Sequence, residues 1–188
     1  MNNSVTTSLP LQAGIWRLDP NHSGVHFRIR HLGLSNVRGR FDHFDATLEV
    51  GPDLADIRVS ATIDMASVDT NQPDRDAHLR STDFFSTDQH PEMIFRSTAV
   101  RAVGQGEYHL DGELTINGIT RAVGLDVEFS GIEVFPADGS THAGFSATTE
   151  VNRNDFGVDF NMPLGMAKMA LGQKVKVELD LQFVAPRS

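Results

Sequence analysis

The last strand-like segment of the chain, residues 174–183, alternates strictly between apolar and polar side chains. The odd positions are Val175, Val177, Leu179, Leu181 and Phe183, and the even positions are Lys174, Lys176, Glu178, Asp180 and Gln182. Successive side chains of a strand point to opposite faces of a sheet. The segment therefore predicts a strand with one apolar face and one face in water. The same alternation recurs along most of the chain.

Eight segments show this strand-like pattern. They cover residues 15–31, 37–50, 55–67, 91–103, 106–117, 119–134, 142–151 and 173–184. Turn sequences separate them, and Asn117-Gly118 is the strongest because both residues accept the positive φ of a two-residue hairpin turn. The pattern predicts an all-β fold, a single eight-stranded antiparallel up-and-down barrel without exposed sheet edges. A two-layer β-sandwich is the structural alternative.

Two segments interrupt the strand pattern. Residues 73–80 have a proline first, acidic residues early and an arginine last, which is typical of a short α-helix. Residues 162–170 carry Met162, Met166 and Met169 at helical spacing, which predicts a second short helix. In an up-and-down barrel both segments lie at one end. We expect that end to be the mouth, because binding residues concentrate in loops on a rigid scaffold.

Composition bears on partners and location. The formal net charge of −9 argues against a nucleic-acid partner. The absence of cysteine excludes disulfides, thiolate zinc sites and cysteine nucleophiles. With neither a signal-like start nor an apolar stretch of about 18 residues, we expect a cytoplasmic protein without integral membrane association, or an exported one if the chain is a processed form. Residues 1–12 are expected to be a flexible segment ahead of one domain over residues 13–188.

Catalysis and metal binding have weak support in the sequence. Asp19, His22 and Ser23 are close together, but neighbours on a strand point to opposite faces, and no G-x-S-x-G motif is present. His22 and His26 share a face, yet at the rise of a strand they lie about 13 Å apart, too far for one ion. We therefore expect no catalytic residue, no bound metal and no cofactor.

Five sets of motifs lie along the chain. They are Trp16-x-x-Asp19-x-x-His22-Ser23-x-Val25-x-Phe27, Arg30-His31-Leu32-Gly33-Leu34-Ser35 with Val37-x-Gly39-x-Phe41, Arg75-Asp76-x-His78-Leu79-Arg80-Ser81-x-Asp83-Phe84-Phe85 with Pro91-x-Met93-x-Phe95-x-Ser97, Gly112-x-Leu114-Thr115-Ile116-x-Gly118-Ile119-Thr120, and Arg153-x-Asp155-Phe156-Gly157. Together they resemble the motifs of the YceI-like family of lipocalin-like, polyisoprenoid- and lipid-binding barrels, and the resemblance runs from about residue 16 to residue 183. It implies a barrel whose internal channel takes up an isoprenoid or another long-chain amphiphile, and it implies no catalytic residue.

The alternation of side chains along each strand assigns every second residue to the barrel interior. Small inward residues such as Ala61 and Ala147 lie among bulky ones, which fits a hollow barrel with one ligand and a tapered, packed core equally well. At the expected mouth the inward rows end at His31, Arg121 and Arg153. These side chains could hold the polar head of a ligand, or they could simply be solvated strand ends.

Eighteen residues from the inward rows, the mouth segments and the methionine segment are candidates for ligand contact. They are Phe27, Ile29, His31, Leu34, Phe41, Ala61, Arg75, His78, Phe84, Phe95, Leu114, Arg121, Phe145, Ala147, Arg153, Met166, Met169 and Leu179.

We expect a protein, not an enzyme, that binds and carries or sequesters a long-chain isoprenoid or lipid in the barrel. One alternative is an enzyme acting on a lipid-like substrate through His31, Asp76 or His78. Others are a metal-binding barrel and a module that pairs through its outer face, for example as a homodimer. The basic run of Arg28, Arg30, Arg38 and Arg40 should lie outward, as a solvated face or as a contact to an anionic membrane surface.

Overall fold

The alternating segments fold into strands throughout the part of the chain that the structure describes, residues 8–165 and 168–187 of a computed structural model. The strands are β1 (Gly14–Leu18), β2 (Gly24–His31), β3 (Ser35–Phe41), β4 (Phe44–Val50), β5 (Arg58–Asp64), β6 (Val68–Asp69), β7 (Glu92–Gly104), β8 (Glu107–Ile116), β9 (Ile119–Val134), β10 (Thr141–Asn152), β11 (Pro163–Gly165), β12 (Lys168–Met169) and β13 (Leu171–Val184). A short helix, α1 (Pro73–Arg80), lies between β6 and β7.

These segments form a closed antiparallel barrel of eight strands. Two barrel strands are interrupted: a 3-10 turn at Pro20–His22 separates β1 from β2, and two residues separate β3 from β4. Neighbours in the barrel follow the chain in the order β1/β2, β3/β4, β5, β7, β8, β9, β10 and β13. β13 pairs with both β1 and β2, which closes the barrel. The predicted up-and-down barrel is confirmed, and the sandwich is not formed.

The hairpin turn at Asn117-Gly118 is formed as predicted. Both residues have positive φ, 54° and 72°, and they connect the paired residues Ile116 and Ile119. The other connections alternate between the two barrel ends because the strand order is sequential. The end with the Asn117-Gly118 turn therefore also carries α1 and the segment between β10 and β13.

The two predicted helices have different outcomes. The first is confirmed as α1, whose first turn is capped by the Gln72 side chain, which accepts a hydrogen bond from the Arg75 N–H at 2.7 Å. The second, over 162–170, is wrong, because β11 pairs antiparallel with β12. Residues 166 and 167, and with them the predicted role of Met166, lie outside the described residues.

Asn161 explains why the methionine segment is a hairpin. Its Oδ1 accepts a hydrogen bond from the Leu171 N–H at 2.9 Å, and its Nδ2 donates to the Leu171 carbonyl at 2.8 Å. The Ala170 N–H also donates to the Met162 carbonyl at 3.0 Å. These hydrogen bonds bring the two ends of the segment together. In a helix of this length the two ends would be too far apart to form them.

Buried apolar side chains form a cluster at each end of the barrel, and a third cluster in the wall between them contains Phe95, Leu110, Leu125 and Ala147. One end cluster contains Leu9, Trp16, Leu48, Val50 and Phe183. The other contains Phe41, Met65, Phe84, Phe156 and Val158 and lies at the end with α1. Leu9 is buried although it belongs to the segment expected to be flexible. No helix of the described residues is long and apolar enough to cross a membrane.

Candidate ligand-binding site

An apolar cavity of about 520 Å³ occupies the barrel between the two end clusters. Its volume lies within the range of roughly 300–1,000 Å³ found for small-molecule sites. Inward side chains of the middle rows, such as Phe27, Val59 and Leu179, line it and are only half-buried. Their remaining exposed surface faces the cavity instead of packing against the opposite wall. The barrel is therefore hollow. The alternation in the sequence could not distinguish a hollow barrel from a packed one.

The end of the barrel away from α1 is packed. Trp16 is 1% exposed, and its Nε1 donates a hydrogen bond to the Gln12 carbonyl at 2.8 Å. Tyr108 and Phe183 line the cavity at this end. Burial raises the pKa of Tyr108, so its phenol is neutral at physiological pH. This end forms an uncharged floor.

A three-ring cluster lies at the other end, which we call the mouth. His78, Phe84 and Phe160 pack edge to face or tilted, with ring centroids 5.0 to 5.2 Å apart. All three line the cavity. His78 Nε2 also lies 2.8 Å from Asp83 Oδ2. The cluster joins α1 and the segment after it to the segment that follows β10, so it partly covers the cavity.

A polar network attaches α1 to the barrel. The Arg75 Nε donates to Thr70 Oγ1 at 2.7 Å, and its Nη2 donates to the Thr70 carbonyl at 2.8 Å. Asp76 is buried and accepts from the Thr70 N–H at 2.8 Å. Thr70 and Arg75 line the cavity. The charges of this segment are thus held mostly by hydrogen bonds within it.

Arg153 lies in the cavity wall and is almost fully buried. Its guanidinium donates to three backbone carbonyls, Gly172 at 2.8 Å, Val158 at 2.7 Å and Phe160 at 2.9 Å. Burial lowers the pKa of Arg153, and the nearby Asp159 carboxylate opposes that effect; an arginine stays charged at neutral pH. The side chain fixes the segment that carries Phe160. Its Nη2 is buried without a hydrogen-bond partner among the described residues.

Most candidate residues from the sequence line the cavity. Those that do are Phe27, Ile29, His31, Phe41, Ala61, Arg75, His78, Phe84, Phe95, Leu114, Phe145, Ala147, Arg153 and Leu179. Their contact with a ligand stays a prediction.

Three candidates do not line the cavity, and their predicted placement is corrected. Leu34 is 80% exposed at the β2–β3 turn, because a tight turn leaves its side chain outside the barrel. Arg121 is exposed, and its Nη1 donates to the Thr120 carbonyl. Met169 is exposed because the hairpin replaces the predicted helix. The predicted rim of three nitrogen-bearing side chains is therefore not formed as one ring.

Sequence reasoning left further cavity residues off the candidate list. Many of them, such as Val59 and Val177, lie on the barrel strands and follow the same alternation as the candidates. Others, among them Leu9, Thr70, Val158 and Phe160, lie outside the barrel strands. Strand periodicity gives no signal there. The aromatic residues near the predicted mouth, such as Phe160, were the one available clue.

Among the described residues, neither a three-ligand metal cluster nor a complete Ser-His-Asp triad lies beside the cavity. The described residues contain no group of three or more His, Asp or Glu side chains able to hold a metal ion. At the packed end, Ser140 Oγ lies 2.8 Å from His142 Nε2, but His142 Nδ1 is 4.0 Å from Asp19 Oδ2. That separation is too long for the hydrogen bond a triad needs, and none of the three residues lines the cavity.

The fold and the cavity define a closed β-barrel protein with an apolar interior. The chain belongs to the YceI-like domain family, which matches residues 16–183. A UPF0312 protein of Staphylococcus aureus (strain N315) is 39% identical over 166 residues, covering 88% of this chain and 94% of the relative.

Solved structures share the fold. BcnA of Burkholderia cenocepacia has a TM-score of 0.76 at 22% identity, covering 88% of this chain and 98% of that one. A polyisoprenoid binding domain from Saccharophagus degradans, implicated in plant cell wall breakdown, has a TM-score of 0.67 at 15% identity, covering 91% and 98%.

Proposed function

We propose that the protein binds a long-chain amphiphile, an isoprenoid or another lipid, inside the barrel and carries or sequesters it. The observation that supports this most is the apolar cavity, which extends from Tyr108 and Phe183 at the floor to Phe160 at the mouth. An empty apolar space of this size lowers packing stability. A ligand that fills it recovers the lost contacts.

Burial of the ligand's chain would supply most of the affinity. Each buried CH₂ contributes about 0.8 kcal/mol, so a dozen contribute roughly 10 kcal/mol before ordering costs. The walls offer few polar partners, so they do not distinguish one hydrocarbon chain from another except by length and width. Affinity should therefore follow chain length until the cavity is full.

The polar groups of the cavity orient the ligand. His31, Arg75 and His78 line the cavity at the mouth and are exposed to water, whereas the floor around Trp16 is uncharged and packed. A polar head would thus lie at the mouth with the chain pointing to the floor. A head group with an oxygen acceptor could also bond to the unpaired Nη2 of Arg153.

An isoprenoid is the ligand class we favour. The polyisoprenoid binding domain of Saccharophagus degradans has the same fold, and the family match covers nearly all of the barrel. Branched isoprene units also suit a cavity wall that combines small residues such as Ala61 and Ala147 with aromatic rings.

Filling the cavity from within tests the proposal. Ala147→Phe places a ring in the cavity, whereas Thr148→Phe places the same ring on the outer face of the same strand. Native mass spectrometry with lipid extraction, and titration with geranylgeraniol, should show binding by the wild type and by Thr148→Phe. Ala147→Phe should lose at least tenfold in affinity. Equal binding by both variants, or none by the wild type, would refute the proposal.

An enzyme acting on a lipid-like substrate is the second candidate, and the His78–Asp83 pair is the observation in its favour. It places an imidazole with a carboxylate partner in the cavity wall, the arrangement of a general base. A carrier returns its ligand unchanged after incubation. A chemically altered lipid, with turnover lost and binding kept in His78→Gln, would favour the enzyme.

A further inference from the structure

Exposed apolar side chains cluster on two segments at the mouth. Leu32 and Leu34 lie in the β2–β3 turn, and Met162, Leu164 and Met169 lie on and beside the β11–β12 hairpin. Their exposure ranges from 43% to 80%. We call these five residues the mouth patch.

The two segments are in contact, so the mouth patch is continuous. The Leu32 N–H donates to the Ala170 carbonyl at 2.7 Å, and the Ala170 N–H donates to the Met162 carbonyl at 3.0 Å. Met162 is 61% exposed and also lines the cavity. An apolar surface therefore runs from the outside of the protein into the barrel.

A cluster of cations borders the mouth patch. Arg28 lies directly opposite Arg38 on β3 and directly opposite Lys176 on β13. Like charges in direct cross-strand pairs destabilise a sheet, and the only ion-pair contact of Arg28 in the described residues is with Glu178 at 3.6 Å. Arg30 lies nearer the turn, and its Nη2 donates to the Gly33 carbonyl. We call Arg28, Arg30, Arg38 and Lys176 the basic face.

The basic face is unusual in a chain whose formal net charge is −9. A groove of about 330 Å³ is lined by Arg28, Arg38 and Arg40, together with the carboxylates Asp69 and Glu178. From the rise per residue of a strand, Arg28 lies about 10 Å from the last residue of β2, measured along the strand. That distance is close to the Debye length at physiological salt.

The packed end provides an internal comparison. It also exposes apolar residues, Val103, Val134 and Phe135. There, however, the direct cross-strand pair of like charges is anionic, because Glu107 lies opposite Glu128. Exposure of apolar groups is thus common to both ends, whereas the direct cross-strand pairs of like charges are cationic near the mouth and anionic at the packed end.

We propose that the mouth patch and the basic face together dock the protein on an anionic lipid bilayer, with the mouth against the membrane. Apolar side chains enter the interface and cations hold the lipid phosphates, as in peripheral membrane proteins. Docking would let a ligand enter the barrel from the membrane without exposure to water, and this use rests on the proposed function. The docking itself does not depend on that function.

Sedimentation with vesicles tests the docking. The full chain is incubated with vesicles of phosphatidylcholine alone or with 25% phosphatidylglycerol. We expect at least tenfold stronger partitioning onto the anionic vesicles, falling as salt rises from 50 to 300 mM. The mouth variant Leu34→Ser/Leu164→Ser should lose at least fivefold. Arg28→Gln/Arg38→Gln should lose the preference for anionic vesicles. The matched variant Val134→Ser/Phe135→Ser should bind like the wild type.

Two outcomes overturn the docking proposal: equal partitioning of the wild type onto both vesicle types, or equal losses in the mouth variant and the packed-end variant. Failure of the proposed function looks different. A protein that ignores geranylgeraniol but prefers anionic vesicles keeps the docking and loses the carrier. Ala147→Phe should dock like the wild type, because its substitution is inside the barrel.

Discussion

Asp76 accepts two hydrogen bonds from Thr70 through one oxygen, from the backbone N–H at 2.8 Å and from the hydroxyl at 2.5 Å. Both residues are buried. The same hydroxyl accepts from Arg75, so a single threonine side chain connects α1 to β6 through two neighbouring residues. This contact fixes the position of the helix at the mouth.

Thr70→Val should therefore destabilise the protein. It keeps the shape of the side chain but leaves the buried Asp76 with one donor fewer, which costs about 1–3 kcal/mol. Urea unfolding followed by circular dichroism measures the loss. Thr115→Val is the control, because its hydroxyl bonds only to that of exposed Thr120, and it should change stability by less than about 0.5 kcal/mol. Equal losses in both variants would contradict this role of Thr70.

Arg153→Met should be more damaging. It removes the donor from three carbonyls, those of Gly172, Val158 and Phe160, and should cost about 3 kcal/mol or more. Arg121→Met at the same end loses one exposed hydrogen bond and should cost less than about 0.5 kcal/mol. Thermal unfolding of the two variants, Arg153→Met and Arg121→Met, measures both losses of stability. A stable Arg153→Met protein would show that the buried guanidinium does not hold the segment.

Phe160→Ala should speed exchange of the ligand proposed above. It removes one ring from the cluster with His78 and Phe84, which opens the mouth without touching the floor. Dissociation of bound geranylgeraniol, followed by stopped flow, should accelerate about tenfold. Phe135→Ala, an exposed aromatic at the packed end, should leave the rate unchanged. An unaltered rate in Phe160→Ala would place the exit elsewhere.

Gly112→Ala should destabilise the barrel wall. A Cβ there would overlap the Phe95 ring and come within 2.7 Å of the Arg96 carbonyl oxygen, and overpacking of this kind costs about 1–3 kcal/mol. Gly144→Ala is the matched change in a neighbouring part of the wall, where the nearest atom would be Ser130 Cβ at 3.4 Å. Guanidinium unfolding should leave Gly144→Ala within about 1 kcal/mol of the wild type. An equally small loss of stability at both sites would contradict this and show that the Phe95 ring and the Arg96 carbonyl both give way to the added methyl group.

Much of the barrel was predictable because alternation is a local property. In residues 174–183, the polarity of each side chain indicates which face of the strand it occupies. The Asn117-Gly118 turn sets the pairing of the two strands that it connects. The helix at 73–80 carries its own start and stop signals. The motifs resembling the YceI-like family agree with the match over residues 16–183.

The segment at 162–170 was misread for a physical reason. Methionine spacing fits a helix, but the ends of the segment are joined by Asn161 through hydrogen bonds to Leu171. Leu34 lies in the β2–β3 turn, where strand alternation assigns no face. Arg121 is paired with the cavity-lining Leu114, but its long side chain is exposed at the strand end and donates to the Thr120 carbonyl.

The sequence by itself determined the barrel strands, their order and the end at which the inserts gather, since these follow from the polarity and turn chemistry of adjacent residues. Only the tertiary structure decided that the barrel is hollow, that Arg153 is buried against three carbonyls and that Phe160 joins the mouth cluster. Cavity volume and loop packing are sums over side chains distant in the chain, and no local pattern records them.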